Sequence, residues 1–423
     1  MLQLNTLREN PAQTIAGLEK KHFKDAAAVV RRAIELDDRR KDIQSRLDNT
    51  LAQANSLARE IGQHMKSGQK EEAEKLKAQT GVLKETSREL EAALKQVEEN
   101  LHEVMVTLPN LPHASVPAGK TPEENEVVEQ AGEVPALAEG ALPHWELIKK
   151  YDIIDFELGN KVSGAGFPFY KGKGAKIQRA LVNFFLNEAD QAGYLEVQPP
   201  VVINAASGFG TGQLPDKEGQ MYHVTEDDLY LIPTAEVPIT NMYRDVIVAE
   251  NDLPVKHAGY TPCFRREAGS WGAHVRGLNR LHQFDKVEIV QITAPENSYA
   301  ALEEMLNHVR GLLEKLNLPY RILRLCGGDM SFTSALTYDF EVFSAAQERW
   351  LEVSSVSNFE TYQANRLRLR YKTDGKTQLL HTLNGSALAL PRILAALLEN
   401  NQTPEGIRIP DVLVPYCGFD RIS

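Results

Sequence analysis

Residues 263–289 read CFRREAGSWGAHVRGLNRLHQFDKVEI, and this stretch decides the fold. Arg265, Arg266 and Glu267 end one β-favouring run, while Phe284, Lys286 and Glu288 lie in the next. Two strands joined by a long glycine-rich, basic loop would present these groups together. Their chemistry suits a nucleotide: an arginine fork matches phosphate oxygens, a carboxylate accepts from an exocyclic amine, and an aromatic ring stacks on a base. By spacing alone, a surface ion-pair hairpin accounts for the same residues equally well.

Three further clusters lie in similar apolar, strand-like text. Residues 351–371, LEVSSVSNFETYQANRLRLRY, hold Glu352, Ser354, Ser355 and Asn358; a carboxylate beside hydroxyls suits magnesium with a polyphosphate. In residues 381–400, HTLNGSALALPRILAALLEN, NGS closes a strand-like run. The apolar helix after it carries Arg392 toward the sheet, where an unpaired charge is costly without an anion. In residues 232–240, IPTAEVPIT, Thr234 and Glu236 are two apart and would share one side of an extended strand. An ordinary exposed strand fits this last segment as well.

Around the clusters run an amphipathic helix, AKIQRALVNFFLNEA, and short β-rich segments, LEVQPPVVI, DLYLI, KVEIVQI and YRILRL. They do not alternate strictly with helices, so an α+β body with a largely antiparallel sheet is expected. The N-terminal third differs. Ala33, Leu36, Ile43, Leu47, Ala54, Leu57 and Ile61 form one heptad seam, with Arg40 and Thr50 filling two positions; Leu76, Thr80, Leu83, Ser87, Leu90, Leu94, Val97, Leu101 and Val104 form another. HMKSGQKEE, with Gly68, reverses the chain between them, predicting an antiparallel hairpin over about 30–104 with helices of about 35 residues and 50 Å. A spacer, a dimerisation coil or a binding arm would all show this period. Residues 1–107 are thus read as a helical arm, the Pro-, Gly- and acid-rich 108–143 as a linker, and 144–423 as the body.

Composition excludes several classes. The 423 residues are 42% hydrophobic and 25% charged, with 47 Lys+Arg against 58 Asp+Glu and a net charge of −11, so there is no general basic coat for nucleic acid, although a local stripe remains available. Cys263, Cys326 and Cys417 are widely separated without a CxxC pair, and no HExxH occurs, so no zinc site is expected. Neither GxxxxGK[ST] nor a GxGxxG at a strand-helix junction is present. No apolar stretch approaches the ~20 residues of a membrane helix, and a soluble, cytoplasmic protein without a membrane partner is expected.

The order TAE, FRREAGS…RGLNRLHQFDKVE, EVSSVSN and HTLNGS…R, behind a long helical hairpin, resembles bacterial-type seryl-tRNA synthetases, which are class II aminoacyl-tRNA synthetases. The likeness runs from end to end. It implies a class II antiparallel-sheet catalytic domain behind the coiled-coil arm, with GYLEVQPPVVI as the first class motif at a homodimer interface. It also implies serine activation with ATP, then transfer to tRNA(Ser), with tRNA(Sec) left open as a second acceptor. By this resemblance Thr234 and Glu236 hold the amino group of L-serine, Ala235 between them belongs to the same serine-binding run, Glu288 holds the serine hydroxyl, and Ser386 lines the pocket. Arg265 bridges the serine carboxylate and the ATP α-phosphate. Glu267 reads adenine, Phe284 stacks on it, Arg266 and Leu281 complete that side, and Arg392 grips the γ-phosphate. Glu352 and Ser355 hold Mg2+ against the phosphates, with Val353 and Ser354 in the same run; Arg265, Glu352 and Arg392 are the residues expected to act in catalysis.

The arm would grasp the long extra arm of the tRNA and act across subunits. Ala387 and Pro391 stand where the family usually has glycines, Val356 replaces a common cysteine and Asn365 a common arginine; none of these is among the expected ligands. A non-catalytic synthetase homologue, binding tRNA or a protein partner through the coil, is the alternative.

Overall fold

The computed structural model describes residues 1–216, 218–268 and 276–423. It divides into two compact units, Met1–Pro109 and Asn110–Ser423. In the first, α1 (Leu4–Glu9) and α2 (Pro11–Lys20) precede the long helices α3 (Ala26–Lys66) and α4 (Lys70–Met105). These span 41 and 36 residues, about 60 and 54 Å at 1.5 Å per residue. Every heptad position expected at the seam is buried or half-buried, because only that stripe of each helix faces its neighbour. The reversal falls at residues 67–69, where Gly68 adopts φ 80°, a left-handed conformation that glycine takes without steric cost.

The second unit is built on an eight-stranded sheet. Its strands in chain order are β1 (Glu126–Ala131), β2 (Leu195–Glu196), β3 (Val255–Phe264), β4 (Gln283–Thr293), β5 (Tyr320–Arg324), β6 (Leu336–Ser344), β7 (Arg349–Asn358) and β8 (His381–Ala389). Across the sheet the order is β1-β5-β6-β7-β8-β4-β3-β2. Every neighbouring pair is antiparallel except β2 with β3 at one edge. Residues 108–143, expected as a linker, therefore supply an edge strand, β1, which pairs with β5.

Helices α5 (His144–Lys150), α6 (Gly172–Gln191), α7 (Glu236–Asn241), α8 (Ser298–Lys315) and α9 (Leu390–Asn400) accompany the sheet. Phe185 of α6, Met305 of α8 and Leu394 of α9 meet Val287, Ile289 and Val356 of the strands in one core. Odd-numbered residues of β4 enter that core, so its even-numbered residues point to the other face. No helix among the described residues is long and apolar enough to cross a membrane.

Asp37 lies outside the heptad seam yet is only 1% exposed. Its carboxylate accepts from Arg8 of α1 at 2.7 Å, Arg40 at 2.9 Å and Lys41 at 2.8 Å. Burial alone would push its pKa up, but the bonds from Lys41, Arg8 and Arg40 prevail and hold it at about 2. The folded pKa lies below the ordinary value, so this stabilisation is present above about pH 4 and lost as the pH falls toward 2. Asp37→Asn should remove about 2 kcal/mol at pH 7 and speed amide exchange over residues 33–47 roughly thirtyfold. The gap should close at low pH; unchanged exchange at pH 7 would contradict this role.

Candidate active site

The register assembles the site. Gly259, Glu288 and Ser386 lie opposite one another on β3, β4 and β8. Val356 opposite Gly385 carries that line on to Ser355 of β7 and its partner Asp339 of β6. Residues in line across a sheet share a face, so these side chains gather opposite the helix-backed core. Gly259 is needed there: a Cβ would come within 2.8 Å of Ile239 Cδ1 in α7 and 2.9 Å of the Val197 carbonyl oxygen.

At the centre, Lys286 and Glu288 are 6% and 0% exposed. The Lys286 ammonium pairs with Glu288 Oε2 and donates to Thr234 Oγ1 at 2.9 Å. Among the described residues neither Glu288 oxygen takes a hydrogen bond of full geometry, although Lys286, Thr234 and Arg265 all ease its charge. Burial pushes the Glu288 pKa up. Glu236, on α7, accepts from Gln363 Nε2 and Asn384 Nδ2, both at 2.7 Å. Burial first, then the Glu288 charge, raise its pKa to about 7. Two buried carboxylates thus face one ammonium, leaving a deficit of one positive charge that a substrate ammonium can fill.

Thr234 and Glu236 do not share a strand, as their spacing suggested. Glu236 begins α7, Ala235 is its N-cap, and the Glu236 N–H donates to Thr234 Oγ1 at 3.2 Å. They converge because the chain turns into a helix over the sheet; the segment PTAEVP follows a strand only three residues long.

Arg265 lies 5.2 Å over the Phe284 ring and donates to the Pro233 carbonyl at 3.4 Å. This stacked cation and ring border the acidic centre, since Arg265 eases the charge on Glu288. Arg266 is anchored through its backbone N–H to the Gln220 carbonyl at 2.9 Å. Glu267 adopts φ 51° and pairs with Arg280, which would have to share it with an adenine amine. Leu281 is buried in the core, so its side chain supports the strand. The middle of the intervening loop, 269–275, lies outside the described residues.

Glu352 and Ser355 are three residues apart and would point to opposite faces of a regular strand. The register jumps between Phe340–Ser354 and Glu341–Glu352, leaving Val353 as a bulge, and that extra residue returns them to one face. Asp339, opposite Ser355, has an Oδ1 closed to solvent and without a hydrogen-bond partner among the described residues, and burial, then the Glu352 charge, push its pKa well up. A hidden carboxylate oxygen, an exposed carboxylate and a hydroxyl form an all-oxygen donor set, which fits magnesium. Among the described residues, no three His, Cys, Asp or Glu side chains gather as a metal site. Ser354 faces elsewhere, donating to the Ser386 carbonyl at 2.6 Å, and Val353 is buried.

NGS sits within β8 rather than closing it, and the helix starts at Leu390. Pro391 occupies its first turn, where proline's missing N–H costs nothing. The sequence places Arg392 toward the sheet, where an unpaired charge would need an anion, but the arginine is not unpaired. Instead it donates from Nε to the Asn279 carbonyl at 3.0 Å and from Nη1 to that of Glu352 at 2.7 Å, with the Glu352 carboxylate 3.5 Å away. Nη2 has no partner among the described residues. Lys286, Asn384, Gln363 and Asp339 were given no role from sequence. A lysine two residues from a glutamate in an apolar strand is the one local signal for any of them.

Residues 221–401 match the tRNA synthetase class II core domain family (G, H, P, S and T), and residues 1–112 the seryl-tRNA synthetase N-terminal domain family. A serine-tRNA ligase of Salinibacter ruber is 50% identical over 426 residues, and one of Akkermansia muciniphila 45% over 425; each alignment spans 100% of this chain and 99% of the relative. The fold superposes on Pyrococcus horikoshii seryl-tRNA synthetase complexed with ATP at TM-score 0.93 and 32% identity, and on cytoplasmic Naegleria fowleri serine-tRNA ligase in complex with AMP at 0.89 and 26%. Both cover 100% of this chain and 99% of the other. With a helical hairpin in front, an antiparallel class II core behind and relatives alike over their whole length, the chain belongs to the seryl-tRNA synthetase family.

Proposed function

We propose that this protein is a serine-tRNA ligase that forms seryl-adenylate and pyrophosphate from L-serine and ATP, then transfers serine to the 3′ end of tRNA(Ser). The observation that carries this reading is the buried centre in which Glu236, Glu288 and Thr234 surround one ammonium. Glu236 and Thr234 take the serine amino group, and Glu288 accepts from its hydroxyl. Ser386, opposite Glu288, lines the wall.

No protein nucleophile is required. The serine carboxylate attacks the α-phosphorus of ATP, a bond from carboxylate oxygen to phosphorus forms, and pyrophosphate leaves with the electrons of the broken bond. Arg265 orients the carboxylate and α-phosphate, Phe284 and Glu267 hold the base, and Arg392 offers to the γ-phosphate its Nη2, which has no partner among the described residues. Glu352 and Ser355, with Asp339 behind them, would hold a magnesium ion, which supplies charge neutralisation for the phosphates when bound. A hydroxyl-reading carboxylate buried this deeply penalises alanine, because Glu288 would then lack its partner.

The helical unit Met1–Pro109 serves as the tRNA-binding arm, with tRNA(Sec) a second candidate acceptor. A homodimer is proposed through the first class motif, whose Leu195 and Val202 are 63% and 38% exposed. The cytoplasm is the proposed compartment.

Purified protein with magnesium should support pyrophosphate exchange into ATP with L-serine and with no other standard amino acid. Exchange driven by another amino acid would overturn the pocket assignment. Glu288→Ala should lower kcat/KM for serine in that assay about a hundredfold or more while barely changing the trace rate with alanine; equal losses for both would contradict its role. A chain starting at Asn110 should retain serine-dependent exchange but lose tRNA(Ser) charging. Full charging without the first 109 residues would remove the arm from the mechanism.

A further inference from the structure

Away from the reacting groups, a buried polar chain links four segments of the catalytic unit. His144 and Glu399 are both fully buried. Glu399 Oε1 accepts from the His144 N–H at 2.8 Å, from its Nδ1 at 2.7 Å and from Gln347 Nε2 at 2.9 Å, while Oε2 accepts from the Ser344 hydroxyl. The other imidazole nitrogen, Nε2, accepts from the Leu278 N–H at 2.8 Å, which assigns the proton to Nδ1. Gln347 Oε1 accepts from Asn279 Nδ2 at 3.0 Å, and the Asn279 carbonyl accepts from Arg392 Nε at 3.0 Å.

The sequence supports this geometry at two points. Arg392 and Glu399 are seven residues apart on α9, two turns, and so share one face. Gly277 has φ 67°, and a Cβ there would lie 2.3 Å from His144 Nε2. The turn at 277–279 can therefore sit on the imidazole only because residue 277 is glycine.

A buried carboxylate saturated by four donors is stiff; the donors come from α5, the end of β6 and the β6–β7 turn, and Gln347 extends the chain to Asn279, at the end of the loop that follows Arg266. The chain's last bond fixes one edge of the Arg392 guanidinium and leaves Nη2 without a partner among the described residues. We infer that His144, Glu399, Gln347 and Asn279 are positioning residues that hold Arg392 in register for the terminal phosphate of ATP. This rests on the reading of Arg392 given above. The side chains of the four bond to one another and reach Arg392 only through the Asn279 carbonyl, so their effect should be confined to nucleotides that bear that phosphate.

The test is calorimetric binding of ATP, AMP and L-serine to the full-length protein and to Gln347→Leu, Arg392→Ala and the double variant. Gln347→Leu should weaken ATP about fivefold to tenfold, the scale of a lost hydrogen bond, and leave AMP and serine within about twofold. The double variant should bind ATP no more weakly than Arg392→Ala, because the two act as one unit. Equal losses for ATP and AMP, or additive losses in the double variant, would overturn the inference. A loss in Arg392→Ala with none in Gln347→Leu removes the chain alone. Unchanged ATP binding in Arg392→Ala removes the chain and the reading of Arg392 together. Should Gln347→Leu lower the melting temperature by more than about 5 °C, Asn279→Ala, which cuts only the bond from Asn279 Nδ2 to Gln347 Oε1 and keeps the backbone carbonyl on Arg392, is judged by the same outcomes.

Discussion

The structure depends on one buried ammonium facing two buried carboxylates. Lys286 meets Glu288 directly, and Glu236 feels both. Burying an unpaired carboxylate costs several kcal/mol even after relaxation, more than any single neighbouring hydrogen bond returns. The protein offsets that cost only in part, with Gln363 and Asn384 on Glu236 and with Thr234 bridging to Lys286. The charge that Glu236 can still take on is what a site for an α-amino acid requires, since an arriving ammonium is worth more there than on a floor with no second carboxylate to ionise.

The same sheet holds the second half of the chemistry. One line of register from Gly259 through Glu288 and Ser386 continues to Ser355 and Asp339, so the proposed amino-acid pocket and the oxygens proposed to face the phosphates share one surface. The bulge at Val353 is the correction that brings Glu352 onto it. Arg392 reaches the same surface from α9 by bonding to the Glu352 carbonyl. Positioning of this kind is the main requirement of a reaction in which the substrate's own carboxylate is the nucleophile.

Periodic features were legible in the sequence. The heptads of α3 and α4 repeat over many turns, and residues 283–293 put charges among apolar neighbours with period two, so both reported their buried faces. What was missed depends on breaks in period. Thr234 and Glu236 have strand spacing but sit where a strand gives way to a short helix. Glu352 and Ser355 share a face only through the bulge, which a sequence of small β-formers does not reveal. Asp37 and Glu399 carry no local signal of burial, because Arg8 and His144, which bond to them, come from other segments. The 108–143 stretch looked like a connector because its strand is short and half-exposed at a sheet edge.

The shared-ammonium centre is tested most directly by the protons that move when serine binds. Glu236, held at about pH 7 by burial and by Glu288, is mostly protonated at pH 6.5 and must ionise to face a second ammonium. Calorimetric titration of L-serine at pH 6.5, in two buffers of different ionisation enthalpy, should therefore show release of roughly three-quarters of a proton. The release should fade above pH 8, where the group is already charged, and be absent in Glu236→Gln. Binding heats at pH 6.5 that do not depend on the buffer would contradict a buried carboxylate pair sharing one cation.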